Sequence, residues 1–408
     1  MSAAVGRRAA GLGSVVVVGA SAAGLTVAEG LRGEGFDGRI TLIGAEPHLP
    51  YDRPPLSKQV LAGAWEPQRT LLRDDDALAR LGLELRLGVA AGGLDLADRA
   101  VMLADGERVG YDALVIATGS APRRLPSGRE LPGVHVLRTL DDALALREEL
   151  AAGSRLAVVG AGFLGCEVAA TARGLGLEVT LIDPLAQPLL RQLGELVGRL
   201  IGELHRDHGV EVRTGVGVAG LLGDARVRGV ELVDGTRVDA DVVLVAIGAA
   251  PATAWLAGSG LALGDGVVCD ATCRAAPGVY AAGDVARWQH PALDGSLRVE
   301  HRMNATEQGL CVARNLLGAA EPFAPVPYFW SDQYDVKLQA FGVLPAGAEP
   351  LVAEGSLERR RFVVHYVVGG RVAGVLAWDM PRELRAHRAR VGLRGDLDRE
   401  QFRSVPVS

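Results

Sequence analysis

The chain has 408 residues, 49% of them hydrophobic and 23% charged, with a net charge of −6. Such a length exceeds one ordinary core and calls for two or three domains. The negative balance argues against nucleic acid as the main partner, and four scattered cysteines (Cys166, Cys269, Cys273, Cys311) form no disulfide framework and point to a reducing cytoplasm.

The first stretch, GRRAAGLGSVVVVGASAAGL, mimics a signal peptide, with paired arginines, an apolar run and small residues. The glycine spacing and Glu29 favour a short disordered lead, a buried strand and a helix. No apolar run reaches the roughly 18 residues that span a bilayer, so no membrane is expected. Val15–Val18 is a β-branched run typical of a buried parallel strand. Gly19 to Gly24 read GASAAG, a helix is expected from about Leu25 to Arg32, and RITLIGAE gives a second strand. Strand, Gly-rich turn, helix, strand is the unit that seats a pyrophosphate on a helix N-terminus. Glu46 ends the second strand, where a ribose hydroxyl would bond. Ser21 stands where the middle glycine of the pattern is usual.

Next comes PYDRPPLSK, Pro50 to Lys58, a rigid stretch with cations at Arg53 and Lys58. Tyr111–Ser120 then reads as an apolar strand ending in a glycine turn. The segment RLAVVGAGFLGCEVAATARGLGLEVTLID repeats the first layout, with Gly160, Gly162 and Gly165 in the turn and Asp183 at the end of its second strand. Two such units imply two bound dinucleotides, a flavin and a nicotinamide nucleotide. Asp183 would accept from both ribose hydroxyls and repel a 2′-phosphate. No arginine follows until Arg191, so NADH is favoured over NADPH.

Ala240–Pro251 and Gly278–Ala286 are further strand-to-turn elements. In the second, Asp284 is placed to bond a ribityl hydroxyl, with the next helix N-terminus aimed at the flavin pyrophosphate. From Phe323 the pattern changes to an antiparallel sheet with a final helix. Cys269 and Cys273 lack further ligands at metal-site spacing, and Cys166 and Cys311 read as small buried residues. The histidines show no ligand spacing, so no metal is expected. No Gly-x-Ser-x-Gly or Walker A pattern is present.

Taken together, GASAAG, LIGAEPHLPYDRPPLSK, ATGSAPR, VLRTLDDA, GAGFLGCEVA, YAAGDVA, RVEHRMNATEQG and YFWSDQY resemble the FAD-containing, NADH-dependent ferredoxin reductases of cytochrome P450 and ring-hydroxylating dioxygenase systems. The resemblance spans nearly the whole chain. It implies an α/β fold with two Rossmann-type dinucleotide-binding domains in a glutathione-reductase-like arrangement, plus a C-terminal α+β domain. The FAD domain would take residues 1–119 and 249–322, the NADH domain 120–248 and the C-terminal domain 323–408. The expected partner is an acidic [2Fe–2S] ferredoxin that binds transiently to a monomer or weak dimer.

In the wider class of flavin disulfide reductases, the region corresponding to RPPLSK carries a cysteine pair. Its absence here implies that electrons leave the flavin singly, to an external carrier. The resemblance makes Lys58 and Glu167 a catalytic pair, Lys58 near the flavin ring and Glu167 facing the nicotinamide carboxamide. The bland alternatives are a solvated lysine and a glutamate that merely steadies its helix. FAD contacts carry over to Gly19, Ser21, Ala22, Ala23, Gly24, Glu46, Arg53, Lys58, Ala91, Arg138, Asp284, Arg302 and Trp330. Phe329 and Trp330 compete for the border of the flavin. NADH contacts carry over to Gly160, Gly162, Phe163, Leu164, Gly165, Glu167, Asp183 and Gly248. Arg302 departs from the aromatic or apolar residue of many relatives; it would either border the flavin or point to solvent. Arg287 and Arg302, with Arg298 and Arg314, are the candidate basic patch for a ferredoxin. Alternative readings are reduction of rubredoxin, monodehydroascorbate or oxygen, and a flavin-bound NADH sensor.

Overall fold

The computed structural model describes residues 12–126, 131–292, 295–345, 347–392 and 403–404; the lead before residue 12 lies outside them. In chain order the helices among these residues are α1 (Ala22–Gly33), α2 (Asp75–Leu81), α3 (Leu140–Ala152), α4 (Phe163–Gly174), α5 (Leu190–Asp207), α6 (Arg302–Leu316) and α7 (Pro381–His387). The chain forms two compact units. One joins Met1–Asp52, Gln68–Ala121 and Ala249–Pro325; the other joins Arg53–Pro67, Pro122–Gly248 and Val326–Ser408.

The first unit is built around the strand Ser14–Val18. Val15 to Val18 are at most 3% exposed, as a parallel strand covered on both faces requires. It pairs in parallel with Arg39–Gly44 on one side and Ala113–Ile116 on the other. Glu84–Leu87 and Val279–Ala281 extend the sheet. α1 makes the crossover and lies against α6. Two glycines permit this close approach: a Cβ on Gly309 would stand 2.9 Å from the Ala23 carbonyl, and one on Gly30 would stand 2.7 Å from the Ala313 Cβ. α1 starts at Ala22, earlier than the helix expected from Leu25. The turn at Gly19 is sharp enough, at φ +122°, to complete itself in three residues. The Gly283-Asp284 turn lies between the parallel strand Val279–Ala281 and a further strand. It runs into the strand Ala286–Gln289, and the next helix is α6 at Arg302.

The second unit repeats the plan. Arg155–Val159 pairs in parallel with Glu178–Asp183 and with Val242–Val245, and α4 makes the crossover. The expected C-terminal sheet is antiparallel, in the order Tyr328–Gln333, Val336–Gly342, Arg371–Trp378, Arg361–Val368, Glu349–Ser356. α7 covers Arg371–Trp378 and opens on Pro381, at a position where no N–H is needed.

A second repeat was not read from the sequence. At the foot of Ala113–Ile116, Asp112 Oδ2 accepts from Gly13 N–H (3.0 Å), Ser14 N–H (2.8 Å) and Ser14 Oγ (2.9 Å). At the foot of Val242–Val245, Asp241 Oδ2 accepts from Ser154 N–H (3.3 Å), Ser154 Oγ (2.9 Å) and Arg155 N–H (3.1 Å). Each aspartate thus ties two parallel strands of its own sheet at the end opposite the glycine turn. The Ser14 hydroxyl holds the Asp112 carboxyl below its ordinary range, and the Arg155 guanidinium does the same for Asp241.

A carboxyl lowered in the folded state stabilises above its unfolded value, near 4, and loses that contribution as the pH falls through the folded value. Asp241→Asn should therefore lower stability by about 1 kcal/mol at neutral pH. The gap to wild type should start to narrow as the pH falls below about 4, where the unfolded chain takes up the proton, and should close only well below that, where the folded carboxylate is protonated too. Thermal unfolding of both proteins across acid and neutral pH measures this; a gap independent of pH would show that the carboxylate charge is not what ties the strands.

Candidate active site

Two turns of one build stand at the carboxyl ends of the two central strands. In the first unit, Gly19 N–H donates to the Ile43 carbonyl at 2.7 Å. A Cβ on Gly19 would run into the Ala117 carbonyl, and one on Gly24 into the Gly19 carbonyl. Those glycines are demanded by the chain itself. Ser21 is different: it is extended, at φ −127° and ψ −161°, and makes no side-chain cap to α1. The backbone therefore tolerates serine there. Ala22, Ala23 and Gly24 bring the first N–H groups of α1, which a helix cannot satisfy internally, to the turn. Dipole and N–H groups together suit a pyrophosphate.

Other predicted residues of this unit gather near the same strand ends. Glu46 lies two residues past Arg39–Gly44 and accepts from the Tyr51 hydroxyl. Val89 N–H donates to the Gly44 carbonyl at 3.1 Å, tying the stretch that leads to Ala91 to the end of that strand. Ser120 Oγ donates to Asp284 at 3.4 Å. Gly283 N–H donates to Gln308 Oε1 at 2.8 Å, and a Cβ on Gly283 would stand 3.0 Å from that of Ala23. So Gln308 holds the Gly283-Asp284 turn against the N-terminus of α1. α6 has no side-chain N-cap. In its first turn Asn304 is 3% exposed, and its Oδ1 has no hydrogen-bond partner among the described residues. A buried orphan acceptor beside an uncapped helix N-terminus fits a ligand carrying both a donor and an acceptor, as the pyrimidine end of a flavin does. His301, which precedes α6, is kept neutral by burial, with its pKa lowered to about 4. Gln308 and Asn304 were not singled out in the sequence, although both lie in the quoted RVEHRMNATEQG stretch.

Arg302 neither stands alone nor points freely to solvent. It is ion-paired with Asp52 and donates to Thr306 Oγ1. Its expected companions are also neutralised: Arg298 meets Asp265 (3.0 Å) and Glu300 (2.7 Å), and Arg314 meets Glu321 (2.9 Å). Three of the four arginines of the basic patch expected from the sequence are thus in ion pairs, and Arg287 is half-exposed. Arg302, Arg298 and Arg314 each meet a carboxylate 250, 33 and 7 residues away, respectively.

In the second unit Gly160 has φ +106°. Its Cβ would strike the Ala246 carbonyl, and one on Gly165 would strike the Gly160 carbonyl. Gly162 sits at φ −77° and ψ −175°, and its missing Cβ faces open space. The backbone does not need glycine there, so what Gly162 gives is room in front of α4, where Phe163 and Leu164 begin the helix. Asp183 Oδ2 accepts from Ala161 N–H (2.7 Å) and Oδ1 from Leu185 N–H (2.8 Å). It therefore fastens the turn as well as offering its remaining lone pairs to a ribose. Gly248, at φ +93°, accepts from Arg123 N–H at 2.9 Å.

The same unit holds the proline stretch. Pro54–Ser57 is a 3₁₀ turn with Pro54 and Pro55 at its start, where their missing N–H groups are not required. The prolines thus build a turn, not just a stiff loop, and that turn presents Ser57 and Lys58 to α4. Lys58 Nζ lies 2.8 Å from Glu167 Oε2, and Ser57 Oγ donates to the same oxygen at 2.6 Å. Ser331 Oγ donates to Glu167 Oε1 at 2.8 Å, and Thr171 Oγ1 to the Ser57 carbonyl at 2.8 Å. Glu167 is 8% exposed. A buried ion pair is weak support for stability, since desolvation offsets much of the attraction. Arg53 donates to the Arg138 carbonyl, so these two predicted cations also lie together. Phe329 packs on Phe163 with ring centres 5.1 Å apart, whereas Trp330 points to the other face of its strand and stacks on Tyr328. Ser57 and Ser331 were not singled out in the sequence, although both lie in quoted motifs. Serines are too common for type alone to mark them.

Residues 13–309 match the pyridine nucleotide-disulphide oxidoreductase family and residues 328–407 the reductase C-terminal family. The chain is 42% identical over 363 residues to a ferredoxin–NAD(P)+ reductase of Sphingomonas sp., covering 88% of this chain and 87% of that protein. It is 39% identical over 372 residues to the ferredoxin–NAD+ reductase subunit of a benzene 1,2-dioxygenase system of Pseudomonas putida, covering 90% of each. Among solved structures it resembles putidaredoxin reductase in its covalent complex with putidaredoxin, at 36% identity and a TM-score of 0.88 over 92% of each chain. No helix among the described residues is long and apolar enough to cross a membrane.

Gly162→Ala separates room for a ligand from need of the backbone. The variant should melt with wild type, since its Cβ meets nothing, yet bind NAD+ roughly fivefold or more weakly, because the methyl stands where an anion must approach N–H groups. Calorimetric titration with NAD+ beside a thermal melt checks both; equal affinity would remove the α4 turn as the binding site.

Proposed function

The chain belongs to the pyridine nucleotide-disulphide oxidoreductase family, and from that premise we propose that it is an NADH-dependent, FAD-containing ferredoxin reductase of a cytochrome P450 or ring-hydroxylating dioxygenase system. The observation that carries the reading is the pair of Lys58, at the end of the proline turn, with Glu167 on α4, the turn standing in the place where disulfide reductases of the wider class carry two cysteines. All four cysteines here are buried thiols elsewhere in the chain. With no dithiol on that turn, electrons pass to an external carrier. The named relatives, the ferredoxin–NAD+ reductase subunit of a dioxygenase system and a reductase solved in complex with putidaredoxin, support a ferredoxin as that carrier, which the resemblance makes a [2Fe–2S] protein.

The α1 turn, Glu46, Ala91, Asp284 and the first turn of α6 would hold FAD. The α4 turn, Asp183 and Gly248 would hold NADH. Bound FAD supplies the conversion of one hydride from NADH into two single electrons for ferredoxin, with release of one proton. Everything else falls to the chain's own groups. The helix N-termini neutralise pyrophosphate. Lys58 would offer its ammonium to bound flavin, as the family resemblance implies, and Glu167 holds that ammonium in an ion pair. Glu167 Oε2 already takes Ser57 and Lys58, and Oε1 takes Ser331. A carboxylate has about four lone-pair sites, so one remains for the carboxamide N–H of NADH. The division into FAD, NADH and C-terminal domains, a cytoplasmic location and a monomer or weak dimer complete the proposal.

The deciding assay is steady-state reduction of a [2Fe–2S] ferredoxin by NADH. Rapid reduction of oxygen or a disulfide with none of ferredoxin would overturn the reading. With Asp183 on the ribose, kcat/KM should favour NADH over NADPH by about tenfold or more; equal values would take Asp183 off the ribose. Lys58→Ala should slow flavin reduction by NADH about tenfold or more in stopped flow, and an unchanged rate would return Lys58 to a structural role.

A further inference from the structure

Glu167 is the end of a longer row of buried polar groups. Ser331 Oγ donates to its Oε1 at 2.8 Å. Gln333 Nε2 donates to Ser331 Oγ at 3.3 Å, and Gln333 Oε1 meets His205 Nε2 at 3.1 Å. His205 Nδ1 meets the Tyr334 hydroxyl at 2.9 Å. Ser331, Gln333 and His205 are each 0% exposed. The row crosses three elements: α4 with Glu167, the strand Tyr328–Gln333 and α5 with His205. Phe329, Ser331 and Gln333 alternate along the strand and so share one face. Phe163 and Glu167, four residues apart, share one face of α4. Phe329 meets Phe163, Ser331 meets Glu167, and Gln333 reaches past to α5.

The chemistry of the groups fixes the direction of every bond. Gln333 Oε1 only accepts, so His205 Nε2 carries the proton and Nδ1 accepts from Tyr334. Burial keeps that imidazole neutral, with a pKa lowered to about 4. Gln333 Nε2 only donates, so Ser331 accepts from it and turns its own proton onto Glu167. All the donors in the row point toward the carboxylate, and bonds in series polarise one another. A glutamine amide does not pass a proton along, so the row orients and does not conduct.

We infer that Ser331, Gln333 and His205 are positioning residues for Glu167, and that through them the C-terminal sheet sets the geometry in which the nicotinamide carboxamide is read. This rests on the proposed role of Glu167. Leaving Oε1 without its Ser331 donor frees the carboxylate to turn about its side-chain torsions, while Lys58 still holds Oε2. The binding of the adenine half of NADH is untouched.

The test uses the FAD-loaded protein and the variants Ser331→Ala, Ser331→Thr, Gln333→Leu and Glu167→Gln. Affinities for NAD+ and for its 3-acetylpyridine analogue, which lacks the carboxamide N–H, are measured by calorimetric titration, with melting temperature alongside. Wild type should prefer NAD+ about fivefold, since an unpaired site group penalises the analogue. Ser331→Ala and Gln333→Leu should each shrink that preference to about twofold or less, and Ser331→Thr, which keeps the hydroxyl, should restore it. In stopped flow with NADH, Ser331→Ala should lower the limiting rate of flavin reduction about tenfold with little change in apparent affinity. Lower melting temperatures with an intact preference and rate would make the row merely structural and overturn the inference. Glu167→Gln settles which layer fails. If it is slow and indiscriminate while the Ser331 and Gln333 variants match wild type, only the positioning inference falls. If Glu167→Gln itself matches wild type, the role of Glu167 falls and the inference with it.

Discussion

A carboxylate taken out of water must have its lone pairs filled, or its burial costs several kcal/mol. Glu167 meets that demand with three donors from two places far apart in sequence: Ser57 and Lys58 on the proline turn, and Ser331 on the C-terminal sheet. This one requirement organises much of the second unit. The turn needs Pro54 and Pro55 to face its serine and lysine inward. α4 must place residue 167 on the buried side, one turn beyond Phe163. The strand Tyr328–Gln333 must run in the register that puts Ser331 opposite. A slip of one residue would turn Asp332 to the carboxylate in place of a hydroxyl donor.

The two glycine turns show which sequence features belong to the backbone and which to a ligand. At the first and third glycines of each turn, a side chain would collide with a carbonyl of the same unit. At the middle position the backbone is extended in both units, and one unit uses serine. A glycine count alone treats the three positions alike. The aspartates at the opposite ends of the sheets, Asp112 and Asp241, repeat as faithfully as the glycines. Each satisfies two N–H groups at the start of a parallel strand, where no ladder partner exists.

Charge behaves differently. The arginines after the Gly283-Asp284 turn look like a cationic stripe when read along the chain. In the fold, three of them meet carboxylates, from Asp52 to Glu321. Pairing of exposed charges is settled by proximity in space and is worth little per pair. It cancels the long-range field that would steer a charged partner, so ferredoxin attraction cannot be read from these residues in sequence.

The sequence by itself determined the two strand–turn–helix–strand units, the later strands that join their sheets, the antiparallel C-terminal segment and the proline stretch without cysteine. These are local patterns: β-branched runs, glycines at forced positions, and turn residues whose backbone preferences act within a few residues. Only the packed chain shows that Gln308 holds the Gly283-Asp284 turn, that Arg302 is held by Asp52, and that Ser331, Gln333 and His205 back Glu167. The Gln308–Gly283, Gln333–His205, Ser331–Glu167 and Arg302–Asp52 contacts join residues 25 to 250 positions apart. Serine, glutamine and asparagine carry no sequence signal of burial, because what makes them functional is the neighbour they meet, and only the packed chain supplies it.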